Sequence, residues 1–240
     1  MLGRRSSSFL LLAASLIFAA AYAPARAAPG ACDLNPTSLS DEEQEGCDAL
    51  RDVKGYFAAF GLPVELDVTI RFLPSVVIEI ASATGVADEL PVIGRFHRHK
   101  REIQMLSVDA ATQSNRRPWK LAWTHEIARS ILRHEVAHAA IARLLGERAD
   151  KLPPAWHEAL AYAVQIDMMD EALRSKVLAN YPDAARFDRT TKINDFTYGF
   201  DPDGFAIRAW LTYVRGGRAE FLKKALAFEH DMIDLREYFY

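Results

Sequence analysis

Hydrophobic and polar residues alternate strictly along one early segment of the chain. Between Val64 and Phe72 every second residue is apolar, and the positions between them are acidic, basic or hydroxyl-bearing. Side chains of a strand point alternately to the two faces of a sheet, so this period of two predicts a half-buried strand. Residues 92–97 and 101–108 flank a basic, turn-like tripeptide and predict a hairpin. Residues 75–84 are rich in β-branched side chains but contain no turn signal. Helix and strand compete there, and we assign a helix.

Apolar residues at helical spacing predict one helix before this strand and a longer one after the hairpin. Ser40 and Glu43 match the capping-box pattern at the start of the first helix, and Gly61-Leu62-Pro63 ends it. The longer helix is predicted from Thr124 to Leu145, where Gly146 supplies the C-terminal stop. This helix carries the most informative motif of the chain.

The C-terminal half is predicted to be helical. Pro153 and Pro154 stand at the start of a helix that we extend from Ala155 to Leu178, because proline is tolerated in a first turn. Two further helices are expected near residues 203–214 and 217–228. Strands therefore come first and helices after, which predicts an α+β fold.

The start of the chain has the pattern of a secretory signal peptide. Two arginines precede an apolar run from Phe9 to Ala23, which ends in the small-residue cleavage pattern Ala25-Arg26-Ala27. We therefore predict that residues 1–27 are a removable leader and that residues 28–240 form one domain, which is periplasmic or secreted. The apolar run is shorter than the roughly 20 residues that a membrane helix needs, so no membrane span is predicted in the mature chain.

The charge balance is acidic and argues against nucleic acid as a partner. The whole chain has 29 basic and 32 acidic residues, a net charge of −3. The predicted leader contains three arginines and no acid, so its removal leaves 26 basic residues against 32 acidic ones. A net negative charge opposes binding to a phosphate backbone.

Both cysteines of the chain, Cys32 and Cys47, follow the predicted cleavage site and lie near each other in sequence. An exported protein meets an oxidising compartment, so we predict a disulfide between them. The alternative, a pair of zinc-binding thiolates, lacks a second pair of ligands nearby.

His134-Glu135-Val136-Ala137-His138 is an H-E-x-x-H motif in the middle of the long predicted helix. Positions i and i+4 lie on one helical face, so both imidazoles can reach one zinc ion while the glutamate faces the water held there. Catalytic zinc usually has three protein ligands and keeps one position for water, whose lowered pKa lets a carboxylate deprotonate it. The motif therefore predicts His134 and His138 as ligands, Glu135 as general base, and a third ligand elsewhere.

The spacing of residues after the motif indicates the third ligand. The metzincin pattern requires glycine and histidine where this chain has Ile141 and Leu144, so that class is excluded. Downstream, the segment Leu152-Pro153-Pro154-Ala155-Trp156-His157-Glu158 places a carboxylate near the start of the next helix. Glu158 is therefore the predicted third ligand. His157 lies about 100° away around that helix and is interpreted as a core or cleft histidine.

The H-E-x-x-H motif and the later P-x-W-x-E-x-L-A segment together resemble the gluzincins, zinc peptidases related to thermolysin, and especially their small single-domain members. The resemblance covers roughly residues 90–215. It implies a zincin-like fold, with a small N-terminal mixed sheet, the motif helix, and a C-terminal helical part that supplies Glu158. By the same resemblance His134, His138 and Glu158 bind zinc, and Glu135 is the general base.

The resemblance also implies a substrate-binding strand and a further catalytic residue. The segment Gly94-Arg95-Phe96, followed by Glu102-Ile103-Gln104-Met105-Leu106, is similar to the edge strand of the family, which pairs with an extended peptide substrate. The substrate is expected to pair near Ile103-Leu106. Tyr198 lies in a segment that resembles the downstream helix of the family, and is the candidate donor to an oxyanion on the substrate. The chain departs from the family at Tyr162, where thermolysin-like enzymes have an acidic residue that holds the first zinc histidine.

Four basic side chains between Arg95 and Arg101 form a cluster in the predicted hairpin. They are interpreted as a solvated turn, and the alternative is a surface that favours an acidic substrate. The histidines of this turn and His125 are interpreted as surface residues.

The sequence as a whole predicts an exported zinc metallopeptidase. Two alternatives stay open: a zinc-binding zincin-fold protein that serves as a binding or scaffolding module, and a hydrolase of a cell-wall amide. The intact Glu135 argues against the first.

Overall fold

A mixed four-stranded sheet forms the N-terminal part of the computed structural model, which describes residues 26–27, 32, 39–80 and 88–232. The signal-peptide prediction falls outside these residues except for Arg26 and Ala27. The sheet has the order β1-β2-β6-β5, and β3 pairs with β4 in a separate hairpin. The strands are β1 (Arg26–Ala27), β2 (Thr69–Leu73), β3 (Val77–Ile80), β4 (Asp88–Pro91), β5 (Gly94–His97) and β6 (Glu102–Leu106).

The pairing within the sheet corrects one prediction about the substrate strand. Ile103-Leu106 belongs to β6, which pairs in parallel with β2 and antiparallel with β5, so both of its edges are occupied. Within the described part of the chain β5 pairs only with β6, so its other edge is free. The sequence predicted the hairpin correctly but not its orientation in the sheet, because the β2–β6 pairing joins segments that are distant along the chain.

Two strand predictions differ from the structure. Residues 64–68 keep the predicted alternation of buried and exposed side chains, but the hydrogen-bonded strand begins only at Thr69. The helix assigned to residues 75–84 is wrong where the structure describes it, since Val77–Ile80 is a strand that pairs with Asp88–Pro91. The β-branched content was the correct signal, and the partner strand that decides between the two is contributed by a later segment.

The helices follow the sequence pattern closely, and the described residues form an α+β fold. Ser40 and Glu43 make the predicted capping box, and Gly146 ends the long helix at a positive φ of 58°. No helix of the described residues is long and apolar enough to cross a bilayer. The helices are α1 (Asp41–Ala59), α2 (Val108–Gln113), α3 (His125–Leu145), α4 (Pro154–Asp167), α5 (Glu171–Ala179), α6 (Asp195–Phe200), α7 (Pro202–Arg215) and α8 (Ala219–Leu226).

The helix predicted from Ala155 to Leu178 is divided into α4 and α5. The carboxylate of Asp170 accepts a hydrogen bond from the Leu173 amide at 2.7 Å and caps α5. The guanidinium of Arg174 donates to the carbonyls of Asp167 and Met169, which α4 leaves without helical partners. Local capping therefore favours two helices over one.

The core lies around α3, which packs against α1, α4 and β5. Fully buried side chains fill the space between these elements, among them Phe57 of α1, Ile103 of β6, Ile141 of α3 and Trp156 of α4. Full burial of one side chain of this size stabilises the folded state by about 1.5–3 kcal/mol. The long helix is thus held on several sides, which fixes the direction of its side chains.

Cys32 and Cys47 are joined by a disulfide in the structure, with their Cα atoms 5.4 Å apart. Cys47 is buried in α1. The bridge therefore ties a segment before the first helix to the core. Arg26 and Ala27 of β1, which the leader prediction includes, pair with Arg71 and Ile70 of β2.

Candidate metal centre

The helix α3 presents the two motif histidines on one face. Thr124 caps it, since its hydroxyl accepts a hydrogen bond from the Ile127 amide at 3.3 Å. His134, Glu135 and His138 lie in the middle of this helix and are all buried, although each is polar. Buried polar groups are costly unless they are paired or bind a ligand. Three of them within five residues indicate a site.

Glu158 reaches the histidines from α4. Pro153 precedes this helix and Pro154 is its first residue, and the Ala155 amide donates to the carboxylate of Asp195 at 2.9 Å. Because α4 packs along α3, the second turn of α4 lies opposite the motif. Glu158 is half-buried there.

The three predicted ligands converge. Nε2 of His134 lies 3.0 Å from Nε2 of His138, and each lies 3.5 Å from an oxygen of Glu158. Ligands of a tetrahedral zinc ion at about 2.0–2.1 Å lie about 3.3–3.4 Å from one another. The donor atoms therefore fit a zinc ion in both type and spacing. Among the described residues, they form the one group of three with this arrangement.

The electrostatics of the group favour an ionised Glu158. Burial alone would raise the pKa of its carboxyl group, but the charge of His138 and the hydrogen bonds from both histidines outweigh burial. The pKa of Glu158 is therefore held well below its usual value. An anionic carboxylate beside two imidazoles is one of the donor sets found in catalytic zinc sites.

Glu135 lies next to the ligands but does not join them. Burial raises its pKa to about 7, and the charge of Glu158 adds to this, while His138 and the Phe96 amide act in the opposite direction. A carboxyl group with a pKa near neutrality exchanges protons readily at physiological pH. Its side chain lies against the free edge of β5.

Gly94 leaves the space that the Glu135 side chain occupies. A Cβ atom on Gly94 would lie 2.8 Å from both Cγ and Oε1 of Glu135, and 2.7 Å from Sδ of Met105. These distances are shorter than van der Waals contact. The sequence contained no signal for this role, because the packing of β5 against α3 creates it.

Gly94→Ala is therefore expected to lower kcat/KM for peptide hydrolysis by a factor of about 10 to 100, since small displacements of a catalytic group cost rates of this size. Metal content should stay at the wild-type value, because no ligand is displaced. Both quantities are measured on the same preparation. Gly55→Ala is the control, since an added Cβ there meets no atom within 4 Å. An unchanged kcat/KM in Gly94→Ala would contradict the packing argument.

Tyr198 lies at the site, as the resemblance implied, on α6. Its helix is capped by Asn194, whose side chain accepts from the Thr197 amide at 3.1 Å. Burial and the charge of Glu158 raise the pKa of the Tyr198 phenol. A phenol with a raised pKa keeps its proton at neutral pH and can donate it in a hydrogen bond.

Tyr162 lies where the related enzymes have an acidic residue, and its ring packs 4.4 Å from the imidazole of His134 between centroids. Nδ1 of His134 is buried and has no hydrogen-bond partner among the described residues. One turn further along α4, Gln165 donates to the hydroxyl of Ser130 at 3.3 Å. Aromatic packing therefore orients His134 in this chain.

The remaining histidines lie apart from the three ligands. The ring of His157 is 6.0 Å from that of His138 between centroids, and burial, together with the charge of His138, lowers its pKa to about 4. His125 is exposed at the start of α3 and lies 3.1 Å from Glu45. His99 is exposed in the turn after β5, and His97 is half-buried.

One family is matched by this chain: the model of DUF6639, a family of unknown function, matches residues 37–230. The chain belongs to DUF6639. No curated protein and no solved structure matches it significantly. The matched segment of DUF6639 includes the three candidate ligands, Glu135 and Tyr198.

The site opens into a cleft of about 1080 Å³. Residues of β5, α3, α4, α6 and the start of α7 line this cleft. The loop between α2 and α3 contributes Arg116, Arg117 and Trp119 to the lining. This DUF6639 member thus combines three convergent ligands, a buried carboxylate and an open strand edge in one cavity.

Proposed function

We propose that this protein is an exported zinc-dependent peptidase with a zincin-like fold. The observation that carries the proposal is the convergence of His134, His138 and Glu158 beside the buried carboxylate of Glu135, within an open cleft. The mixed sheet with an antiparallel edge strand next to the motif helix supports the zincin-like assignment. Export rests on the leader pattern in the sequence.

The residues that would hold zinc are His134, His138 and Glu158. A zinc ion there supplies a Lewis acid that lowers the pKa of a water molecule and polarises a carbonyl group. Two neutral imidazoles and one carboxylate leave a net charge of +1 on the ion. The ligand set is therefore of the kind found at hydrolytic rather than purely structural sites.

Glu135 is the group that moves protons. Its carboxylate accepts a proton from the attacking water and then transfers it to the nitrogen of the leaving amine. Burial beside Gly94 holds the carboxylate in one place and excludes bulk water from it. The raised pKa suits both halves of this transfer, since the group must first accept the proton and then release it.

Tyr198 is the donor that we assign to the oxyanion. Its protonated phenol lines the same cleft as Glu135. A donor placed before the reaction stabilises the charge that develops on the carbonyl oxygen of the substrate.

The substrate backbone is expected to pair with β5. Leu106 donates to the Ile93 carbonyl at 2.8 Å, and the antiparallel register makes Arg95 and His97 the next residues bonded to β6. The amide and carbonyl groups of Gly94 and Phe96 therefore point away from β6, where the Phe96 amide also meets the carboxylate of Glu135. An extended peptide added there would pass beside Glu135, which is a known mode of peptide recognition.

Incubation of the zinc-loaded mature chain with a diverse peptide library, followed by sequencing of the products, tests the proposal. Peptide-bond cleavage that a chelator abolishes and added zinc restores is the expected result. The Glu135→Gln variant, purified in parallel, excludes a contaminating peptidase. Zinc binding without cleavage of any peptide would contradict the proposal and favour a binding module.

A further inference from the structure

We propose that the substrate presents a carboxylate side chain to Arg116 and Arg117, at the end of the cleft where the chain enters β5. The inference rests on the proposed peptidase function and names its substrate class, an acidic peptide. It is carried by the position of the two arginines, by the charges around them and by the way their loop is anchored.

The position of Arg116 is fixed relative to the catalytic strand. Its guanidinium donates to the Pro91 carbonyl at 2.6 Å, and Pro91 ends β4 three residues before Gly94. Arg116 is half-buried, and Arg117 beside it is exposed. Both line the same cleft as Glu135. A peptide paired with β5 would therefore carry one of its side chains past these two guanidinium groups.

Two other arginines near the cleft are paired with acidic side chains. Arg98 and Asp150 both line the cleft and form an ion pair. Arg95 donates to the Val77 carbonyl at 3.1 Å but has no acidic partner among the described residues. Arg101, also part of the basic cluster in the sequence, pairs with Asp67 at 2.6 Å outside the cleft lining. Arg95 therefore adds positive charge to the cleft beside Arg116 and Arg117, whereas Arg98 and Arg101 are neutralised by their acidic partners.

Arg116 and Arg117 have no acidic partner among the described residues. The acidic side chains that line the cleft are committed elsewhere: Glu135 and Glu158 to the metal centre, and Asp203 to the hydroxyl of Tyr181 at 2.7 Å. A guanidinium group binds a carboxylate through paired hydrogen bonds and is weakly hydrated. Two guanidinium groups without acidic partners, next to the strand that would bind the substrate, favour a substrate with an anionic side chain.

The loop that carries the arginines is held in one conformation. Trp119 and Lys120 have positive φ angles of 51° and 63°, which are unfavourable for residues other than glycine. Trp119 is 2% exposed, and its carbonyl accepts from the Asn180 side chain at 2.9 Å. Strained backbone that packing maintains is concentrated at functional sites. The anchoring reduces the entropy lost when a ligand binds.

The test measures binding without hydrolysis, in the zinc-loaded Glu135→Gln variant. The probe is a short fluorescein-labelled peptide whose single glutamate is moved through every position, each version paired with its glutamine counterpart. At the position that meets the arginines, the glutamate peptide should bind about 10- to 100-fold more tightly by fluorescence anisotropy. Adding Arg116→Gln and Arg117→Gln to the same variant should remove this difference.

Arg215→Gln, at an exposed position outside the cleft lining, is the matched control and should leave the difference unchanged. Equal binding of glutamate and glutamine peptides at every position, or no measurable binding of either, overturns the inference. Selective binding by the arginine pair with no hydrolysis by the wild-type chain would instead overturn the peptidase function and leave the acidic-ligand site in place. Hydrolysis by the wild-type chain at a rate independent of the glutamate would support the peptidase function and overturn the acidic-ligand site.

Discussion

Replacing Glu135 by glutamine is expected to lower peptide hydrolysis by a factor of about 100 to 10,000 while the metal content stays near that of the wild type. Glutamine has nearly the same shape, so it fills the space beside Gly94, but its amide cannot accept the proton of the attacking water. The side chain is not one of the three convergent ligands. Metal analysis and kcat/KM on the same preparation measure both effects.

Glu126→Gln is the matched control for this substitution. Glu126 lies in the first turn of the same helix but is exposed to solvent, so hydrolysis should be unchanged. Full activity in Glu135→Gln would show that another group accepts the proton, even with zinc bound as proposed. Loss of metal in that variant would instead make Glu135 a ligand.

Glu158→Ala is expected to weaken zinc binding by more than about 100-fold. Substitutions of residues that merely support a ligand cost 10- to 100-fold in affinity, and removal of a direct ligand should cost more. The two histidines of α3 would remain, but two ligands leave the ion exposed to water on one side. Isothermal titration with zinc gives the affinity. The rise in Tm on adding zinc should shrink as well, because the stabilisation by a bound ligand grows with the logarithm of its affinity.

His157→Ala tests whether the residue next to Glu158 is a zinc ligand. Its ring lies 6.0 Å from that of His138 and outside the group of three, so zinc affinity should stay near the wild-type value. The reverse result, full binding in Glu158→Ala and loss in His157→Ala, would transfer the third ligand position to the histidine. His134→Ala should behave as Glu158→Ala does.

The helices could be read from local patterns because their signals lie within a few residues of one another. Ser40 with Glu43, Thr124 and Gly146 each mark a helix end by satisfying backbone groups nearby, and all three stand where the sequence placed them. The wrong prediction of one continuous helix through Asp170 also depends on a signal that spans only a few residues. Asp170 is a residue type that caps helices, but the apolar periodicity on both sides of it favoured one helix over two.

The strands depended on partners that lie elsewhere in the chain. Val77–Ile80 became a strand because Asp88–Pro91 pairs with it, and β6 became an inner strand because it pairs with Thr69–Leu73. No window of the sequence contains both members of such a pair. The resemblance to the family's edge strand covered both β5 and β6, and only the long-range pairing of β6 with β2 decided that β5 is the edge.

The sequence by itself determined the spacing of His134 and His138, the acidic residue between them and the later Glu158, because a helix converts a spacing of four residues into a shared face. Only the tertiary structure decided that α4 brings Glu158 within 3.5 Å of both histidines, and that Gly94 makes room for the side chain of Glu135. It also decided which arginines lack acidic partners in the cleft. Contacts between elements depend on packing of residues far apart in the chain, and that packing is a property of the whole fold rather than of any segment.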